Sequence, residues 1–178
     1  EISQIVKGYY QILINYNKIL HQRNNLLKEI NSQEKTETLE IWNEQLVKYG
    51  SMIIKNRMEF LQKLVPLARK VQEEMTSSEE KLDIKYNSTI IDKPIFDLKQ
   101  ISEFFRKALK SCEKQEFLRK VTLVGPHRDD LIFYLNEKEL RTFGSQGQQR
   151  TAVLALKLAQ LKLYNNINGE YPLLLLDD

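Results

Sequence analysis

Cys112 is the only cysteine in the 178 residues, so an internal disulfide framework and a cysteine zinc cluster are both excluded. It reads as a small buried or half-buried residue and not as a nucleophile. The two histidines, His21 and His127, stand in different halves of the chain. A metal site of His127 with Asp129 and Asp130 would lack a second imidazole, and charge pairing within that loop is the simpler reading. The six glycines, at positions 8, 50, 125, 144, 147 and 169, never open a Gly-x-x-x-x-Gly-Lys-Ser/Thr phosphate loop. No apolar run approaches the ~20 residues that span a bilayer. The start, Glu1-Ile2-Ser3-Gln4, lacks the charged-then-apolar pattern of a secretory signal. Together these absences point to a cytoplasmic protein with no membrane partner. The net charge of +3, from 27 basic and 24 acidic residues, is too mild to establish a nucleic-acid partner alone. The surplus is all in the second half: residues 1–83 carry 12 basic and 12 acidic side chains, residues 84–178 carry 15 and 12.

What is present is helical periodicity. Ile5, Tyr9, Ile12, Tyr16, Ile19, Arg23, Leu26 and Ile30 alternate steps of four and three, a heptad seam broken once by Arg23. A second seam runs through Leu39, Trp42, Leu46, Tyr49, Ile53, Asn56 and Phe60. Its aromatic residues are assigned to packing, not to base stacking. The polar stretch between the seams is short enough for a helical hairpin, so residues 1–78 are expected to form an antiparallel, coiled-coil-like arm with its tip near 31–37. Pro66 should kink or end the second helix, with a further turn or two to Met75. After Ser77-Ser78-Glu79-Glu80 the period falls towards two at Leu82, Ile84 and Tyr86. A helix over 97–111 follows, then a strand over Lys120–Val124, a hairpin of Leu131–Leu135 with Glu139–Phe143 turning at Asn136-Glu137, a helix over 146–165 and a buried strand at Leu173–Leu176. The fold class is therefore α+β and mostly α.

Two constellations carry chemistry. Leu173–Leu176 followed by Asp177 and Asp178 has the form of a Walker B strand, whose terminal acids can hold Mg²⁺ through water and polarise an attacking water. A core strand leading into an acidic turn is the competing reading. A chain that stops on such a strand is expected to be a piece of a longer protein. Phe143-Gly144-Ser145-Gln146-Gly147-Gln148-Gln149-Arg150 precedes a long apolar helix. It offers a hydroxyl and backbone N–H groups at a helix start, a phosphate-binding arrangement. The competing reading makes Ser145 a helix cap. The order and spacing of the two elements is that of the signature motif and Walker B of ATP-binding-cassette ATPases.

Val124-Gly125-Pro126-His127-Arg128-Asp129-Asp130-Leu131, the Phe143–Thr151 loop and the final Leu-Leu-Leu-Leu-Asp-Asp together resemble the RecF family of DNA-repair ATPases. Tyr16–Asn24, Ile41–Leu46, Glu59–Leu61 and Pro66–Ala68 resemble segments of its helical domain, so the likeness covers essentially the whole chain. It implies the arm at 1–78 and, at 79–178, part of an ATP-binding-cassette head. It also implies an ATP-dependent homodimer on double-stranded and gapped DNA, with RecR and, through it, RecO as partners in recombinase loading. By the same resemblance Ser145, Gln146, Gly147, Gln148 and Arg150 would meet the ATP of the other subunit. Asp177 would serve Mg²⁺ and Asp178, as the catalytic acid, the water. Arg150 could balance phosphate charge or pair with a nearby acid. Hydrolysis in the parent is expected to be slow. This piece, having no phosphate loop and no motifs after Walker B, is expected to be inactive alone.

Candidate DNA contacts are Lys107, Lys110, Lys114, Arg119 and Lys120, with Arg141 near the signature. A run of this sort is more often a solvated helix face. Two readings from other classes compete with the ATPase: a non-enzymatic helical interaction module, and a structural protein like SMC. Helices of roughly 25 residues reach about 40 Å, which is far short of an SMC rod.

Overall fold

The computed structural model describes residues 2–29 and 37–173. Its elements are α1 (Ile2–Ile5), α2 (Tyr9–Glu29), α3 (Glu37–Met75), β1 (Leu82–Asn87), α4 (Leu98–Arg119), β2 (Asp130–Leu135), β3 (Lys138–Glu139), α5 (Leu140–Phe143) and α6 (Gln146–Asn168). None of the described helices is long and apolar enough to cross a membrane. The chain divides into two compact units, Glu1–Glu59 with Asn87–Asp130, and Phe60–Tyr86 with Leu131–Asp178. The expected arm, 1–78, thus supplies residues to both.

In the first unit, α2 and the first part of α3 form the antiparallel hairpin that the two seams require. Arg57 Nε donates to Tyr9 Oη at 3.4 Å and Arg23 Nε to Asn43 Oδ1 at 2.7 Å. A Cβ on Gly50 would lie 3.0 Å from the Tyr16 ring. Each of these pairs is centred on position 33, inside the stretch expected for the tip. The tip residues themselves, 30–36, lie outside the described residues. The seam residues Tyr9, Tyr16, Ile19, Leu39, Leu46 and Ile53 are buried. Arg23, which breaks the apolar pattern, is buried too, at 2% exposure. Its guanidinium donates to Glu116 Oε2 and Thr122 Oγ1, each at 2.7 Å. The break in the seam is therefore an internal ion pair that ties α2 to α4. Helix α4 begins at Asp97, whose carboxylate accepts from Gln100 N at 2.8 Å. It runs eight residues past the expected end at 111, because Glu116 and Phe117 are buried in this unit.

Lys120–Val124 is not a strand. Lys120 caps α4 in the left-handed conformation, and the following backbone bonds to side chains instead of a ladder. Thr122 N donates to Asn24 Oδ1 and Leu123 N to Glu116 Oε1, both at 2.8 Å. The Gly125–Asp129 loop is held in the same way. Tyr16 Oη and His127 Nδ1 are 2.7 Å apart, Arg57 donates to Pro126 O at 2.6 Å, and Asp129 accepts from Thr89 N at 2.7 Å. Burial pushes the Tyr16 phenol up, with the Asp129 charge adding to it, and pushes His127 down. The pair therefore stays neutral. Asp129 is occupied by the Ser88-Thr89 turn, and among the described residues no His, Cys, Asp and Glu group could hold a metal.

In the second unit α3 continues through Pro66 to Met75. The proline forfeits one helical N–H bond, but Leu64, Ala68 and Val71 around it are buried and hold the helix. A pair of left-handed serines, Ser77 and Ser78, turns the chain into β1, where Leu82 and Ile84 point inward. The sheet order is β1-β2-β3. Lys81 before β1 bonds Asn136 after β2, as in an antiparallel pair. Strands β2 and β3 form the expected hairpin, with Tyr134 opposite Glu139. Asn136 and Glu137 both take positive φ, the two-residue turn whose twist suits a hairpin. Its second strand is shorter than expected, since Leu140–Phe143 is a helical turn, anchored by buried Leu140. Helix α6 buries Ala152, Ala155 and Ala159 almost completely, small side chains that let it approach its neighbours closely.

Candidate functional site

Helix α5 ends at Phe143, and Gly144 follows without room for a side chain: a Cβ there would lie 2.5 Å from Leu140 O. Ser145 then caps α6. Its Oγ accepts from Gln148 N at 3.2 Å, and Gln148 Oε1 accepts from Ser145 N at 2.9 Å, a reciprocal capping box. Both readings of this loop are thus compatible: the serine is a cap, and its hydroxyl stands at an exposed helix start. With a lone pair engaged by an N–H, that hydroxyl has its proton free to donate. The amides of Gln146 and Gly147, in the first helical turn, lack intrahelical acceptors and add a positive pole.

Gly147 is there for another reason than Gly144. A Cβ at 147 would meet only Ser145 Oγ, 3.9 Å away, and its φ is not in the left-handed region. Neither packing nor backbone strain demands glycine, yet its absence of a side chain leaves open space beside the hydroxyl. Ser145, Gln146, Gly147 and Arg150 are exposed, and Gln148 is half-buried. No described carboxylate forms an ion pair with Arg150, whose guanidinium stands one turn into α6. Hydroxyl, first-turn amides and a guanidinium make a donor set suited to a phosphate. Beside them Phe143 and Val153 are exposed at 70% and 59%.

Two residues of this site escaped the sequence reading. Glu80, in the loop before β1, accepts from Gln148 Nε2 at 2.9 Å and from Gln72 Nε2 at 2.8 Å. The separation of 68 positions between Glu80 and Gln148 hides the contact from any local pattern. Leu174–Leu176, Asp177 and Asp178, expected to complete a Walker B strand, lie outside the described residues. Leu173, just before them, is exposed.

The candidate DNA contacts fall apart into groups. Lys107, Lys110 and Lys114 are exposed on α4 at helical spacing, with Lys107 Nζ 5.7 Å from the Phe104 ring centre. Arg119 and Lys120 lie at the C-terminal end of α4, and Arg141 is exposed in α5 of the other unit. A cavity of about 290 Å³ in the first unit is bordered by Arg23, Asn43, Glu44, Arg106, Lys110 and Glu116. Opposite charges meet across it, so it presents no single-sign field.

No protein-family model matches the chain. It is 48% identical over its whole length to the DNA replication and repair protein RecF of Desulforamulus reducens, covering 48% of that protein. It is 46% identical to the RecF of Halothermothrix orenii, again over the whole chain and 48% of the relative. A solved structure described as the recombination mediator protein RecF-ATP in RecFOR pathway superposes with a TM-score of 0.90 at 39% identity, over 99% of this chain and 47% of that one. The chain spans about half the length of the curated relatives it matches.

Proposed function

The chain is a segment of a RecF-family DNA-repair protein, and from that premise we propose that the exposed start of α6 is the signature face of its ATPase. On this reading Ser145, Gln146, Gly147, Gln148 and Arg150 engage the γ-phosphate of an ATP held by a second copy, so that dimerisation reports bound nucleotide. The observation that carries the proposal is the room at Gly147, where a Cβ would meet only Ser145 Oγ at 3.9 Å, beside a capped and exposed Ser145. A helix that only needed a cap would tolerate a side chain at 147.

In the longer protein, Asp177 would hold Mg²⁺ and Asp178 would orient the water for slow hydrolysis. The metal would supply charge neutralisation at the phosphates, as in other phosphoryl-transfer sites. The division into arm (1–78) and head (79–178), the DNA contacts of Lys107, Lys110, Arg119, Lys120 and Arg141, the cytoplasmic location, and RecR and RecO as partners belong to the same proposal. The relative described as RecF-ATP supports the nucleotide.

The test uses the full-length protein in sedimentation with and without ATP and Mg²⁺, as wild type and as Ser145→Arg. The wild type should dimerise with ATP, while the variant should still bind ATP yet remain monomeric. Identical behaviour would reduce Ser145 to a helix cap and favour a protein-interaction module.

A further inference from the structure

Glu80 stands between two glutamine amides, one on each carboxylate oxygen: Gln72 Nε2 at 2.8 Å and Gln148 Nε2 at 2.9 Å. Gln148 in turn accepts from Ser145 N and donates its own N–H to Ser145 Oγ. A path of side-chain hydrogen bonds therefore runs from the interior of α3 to the backbone N–H of Ser145, whose hydroxyl is held by the backbone of the same Gln148. We propose that Glu80 is a positioning residue for the signature serine, acting through Gln148, with Gln72 as its support. This rests on the signature reading given above.

The first argument is the orientation of an amide. The two ends of a glutamine side chain have opposite hydrogen-bonding character. The capping box requires Gln148 Oε1 to face Ser145 N. With a carboxylate on the far side, only that orientation is favourable, because the flipped amide would set oxygen against oxygen. Glu80 thus selects the amide orientation that holds the Ser145 backbone N–H, and with it the capping geometry in which Ser145 Oγ accepts from the Gln148 backbone N–H. A charged acceptor makes the stronger kind of hydrogen bond, so the selection holds at an otherwise exposed helix start.

The second argument is Gln72. It is 0% exposed, and its Oε1 has no hydrogen-bond partner among the described residues. A buried acceptor left unpaired destabilises a fold. Methionine would fill the same space without that cost. What glutamine supplies and methionine cannot is the donor to Glu80. A polar group kept at the expense of stability is expected where geometry serves a site.

The test is ATP-dependent dimerisation of the full-length protein by sedimentation, beside the ATP affinity of the monomer and the thermal midpoint. Glu80→Ala should raise the ATP needed for half-maximal dimerisation about tenfold, the effect of losing one charged hydrogen bond, with monomer affinity unchanged. In a Gln148→Ala background the same substitution should have no further effect. Gln72→Met should weaken dimerisation in the same direction while raising the thermal midpoint, and it carries the test should Glu80→Ala fail to fold. The proposal is overturned if Glu80→Ala costs as much without Gln148 as with it. It is also overturned if Glu80→Ala, or Gln72→Met in its place, leaves dimerisation intact while Ser145→Arg abolishes it. If Ser145→Arg has no effect, the signature reading itself falls, and the positioning role with it.

Discussion

At the scale of single residues, the two informative glycines are those whose positions exclude or invite a side chain for physical reasons. A Cβ at Gly147 would meet only Ser145 Oγ, 3.9 Å away, and the role of this glycine is the one proposed above. Gly50 faces the opposite situation inside α3. A Cβ there would lie 2.3 Å from Phe105 Cε1 and 3.0 Å from the Tyr16 ring, both on fully packed side chains. Two effects then oppose each other in Gly50→Ala. Helix propensity favours alanine by roughly 1 kcal/mol, whereas overpacking a tight core costs about 1–3 kcal/mol. A contact this short against the body of a ring, with a second ring behind it, puts the cost at the upper end. Gly50→Ala is expected to destabilise the chain by about 1–2 kcal/mol in urea unfolding, with Phe105→Leu recovering part of the loss. A stabilised Gly50→Ala would mean that the rings move aside freely.

At the scale of elements, what was legible in the sequence was what local periodicity encodes. The two seams were readable because each helix buries one stripe, and their equal lengths implied the hairpin. The β1 alternation, the Asn136-Glu137 turn and the Ser145 cap are equally local. The strand expected at Lys120–Val124 failed for the opposite reason: its backbone bonds go to the side chains of Asn24 and Glu116, which no local alternation announces. Arg23 was visible only as a fault in a seam. Its worth lies in the network it closes, with Asn43, Thr122 and Glu116 all within 2.7 Å. Removing one partner of a buried ion pair strands the other, at about 3–5 kcal/mol. Arg23→Met is therefore expected to destabilise the chain by that amount. Adding Glu116→Gln should restore part of it, since a neutral amide oxygen can still accept from Leu123 N. Urea unfolding of the single and double variants checks both statements, and a loss below about 1 kcal/mol for Arg23→Met would show the pair to be incidental.

At the scale of the whole molecule, the question is whether the basic surplus of the second half acts on DNA. The exposed cations of α4 differ in how far they are already neutralised. Arg106 is held bidentate by Glu44 at 2.9 Å, and this partner keeps the Glu44 carboxyl below its usual range. Arg106 is therefore an unsuitable phosphate ligand. Lys107, Lys110 and Arg119 have no such carboxylate clamp among the described residues. From Lys107 to Arg119 the helix rises about 18 Å, along which a duplex carries roughly ten phosphates. Lys107 and Lys110, on one face near the middle of α4, can thus meet backbone charges without reading a base, with Arg119 at the C-terminal end reaching from further round the helix. Contacts of this kind release counterions, and each one removed lowers the slope of log K against log salt by about 0.9. Replacing Lys107, Lys110 and Arg119 together by alanine in the full-length protein is expected to weaken DNA binding equally for unrelated sequences and to reduce the salt slope by about 2–3. The same Ala triple should leave ATP-dependent dimerisation unchanged, because none of the three residues takes part in the Gln72–Glu80–Gln148–Ser145 path. An unaltered salt slope would return these side chains to the role of a solvated helix face and shift the search for the DNA contact to Arg141 and the arm.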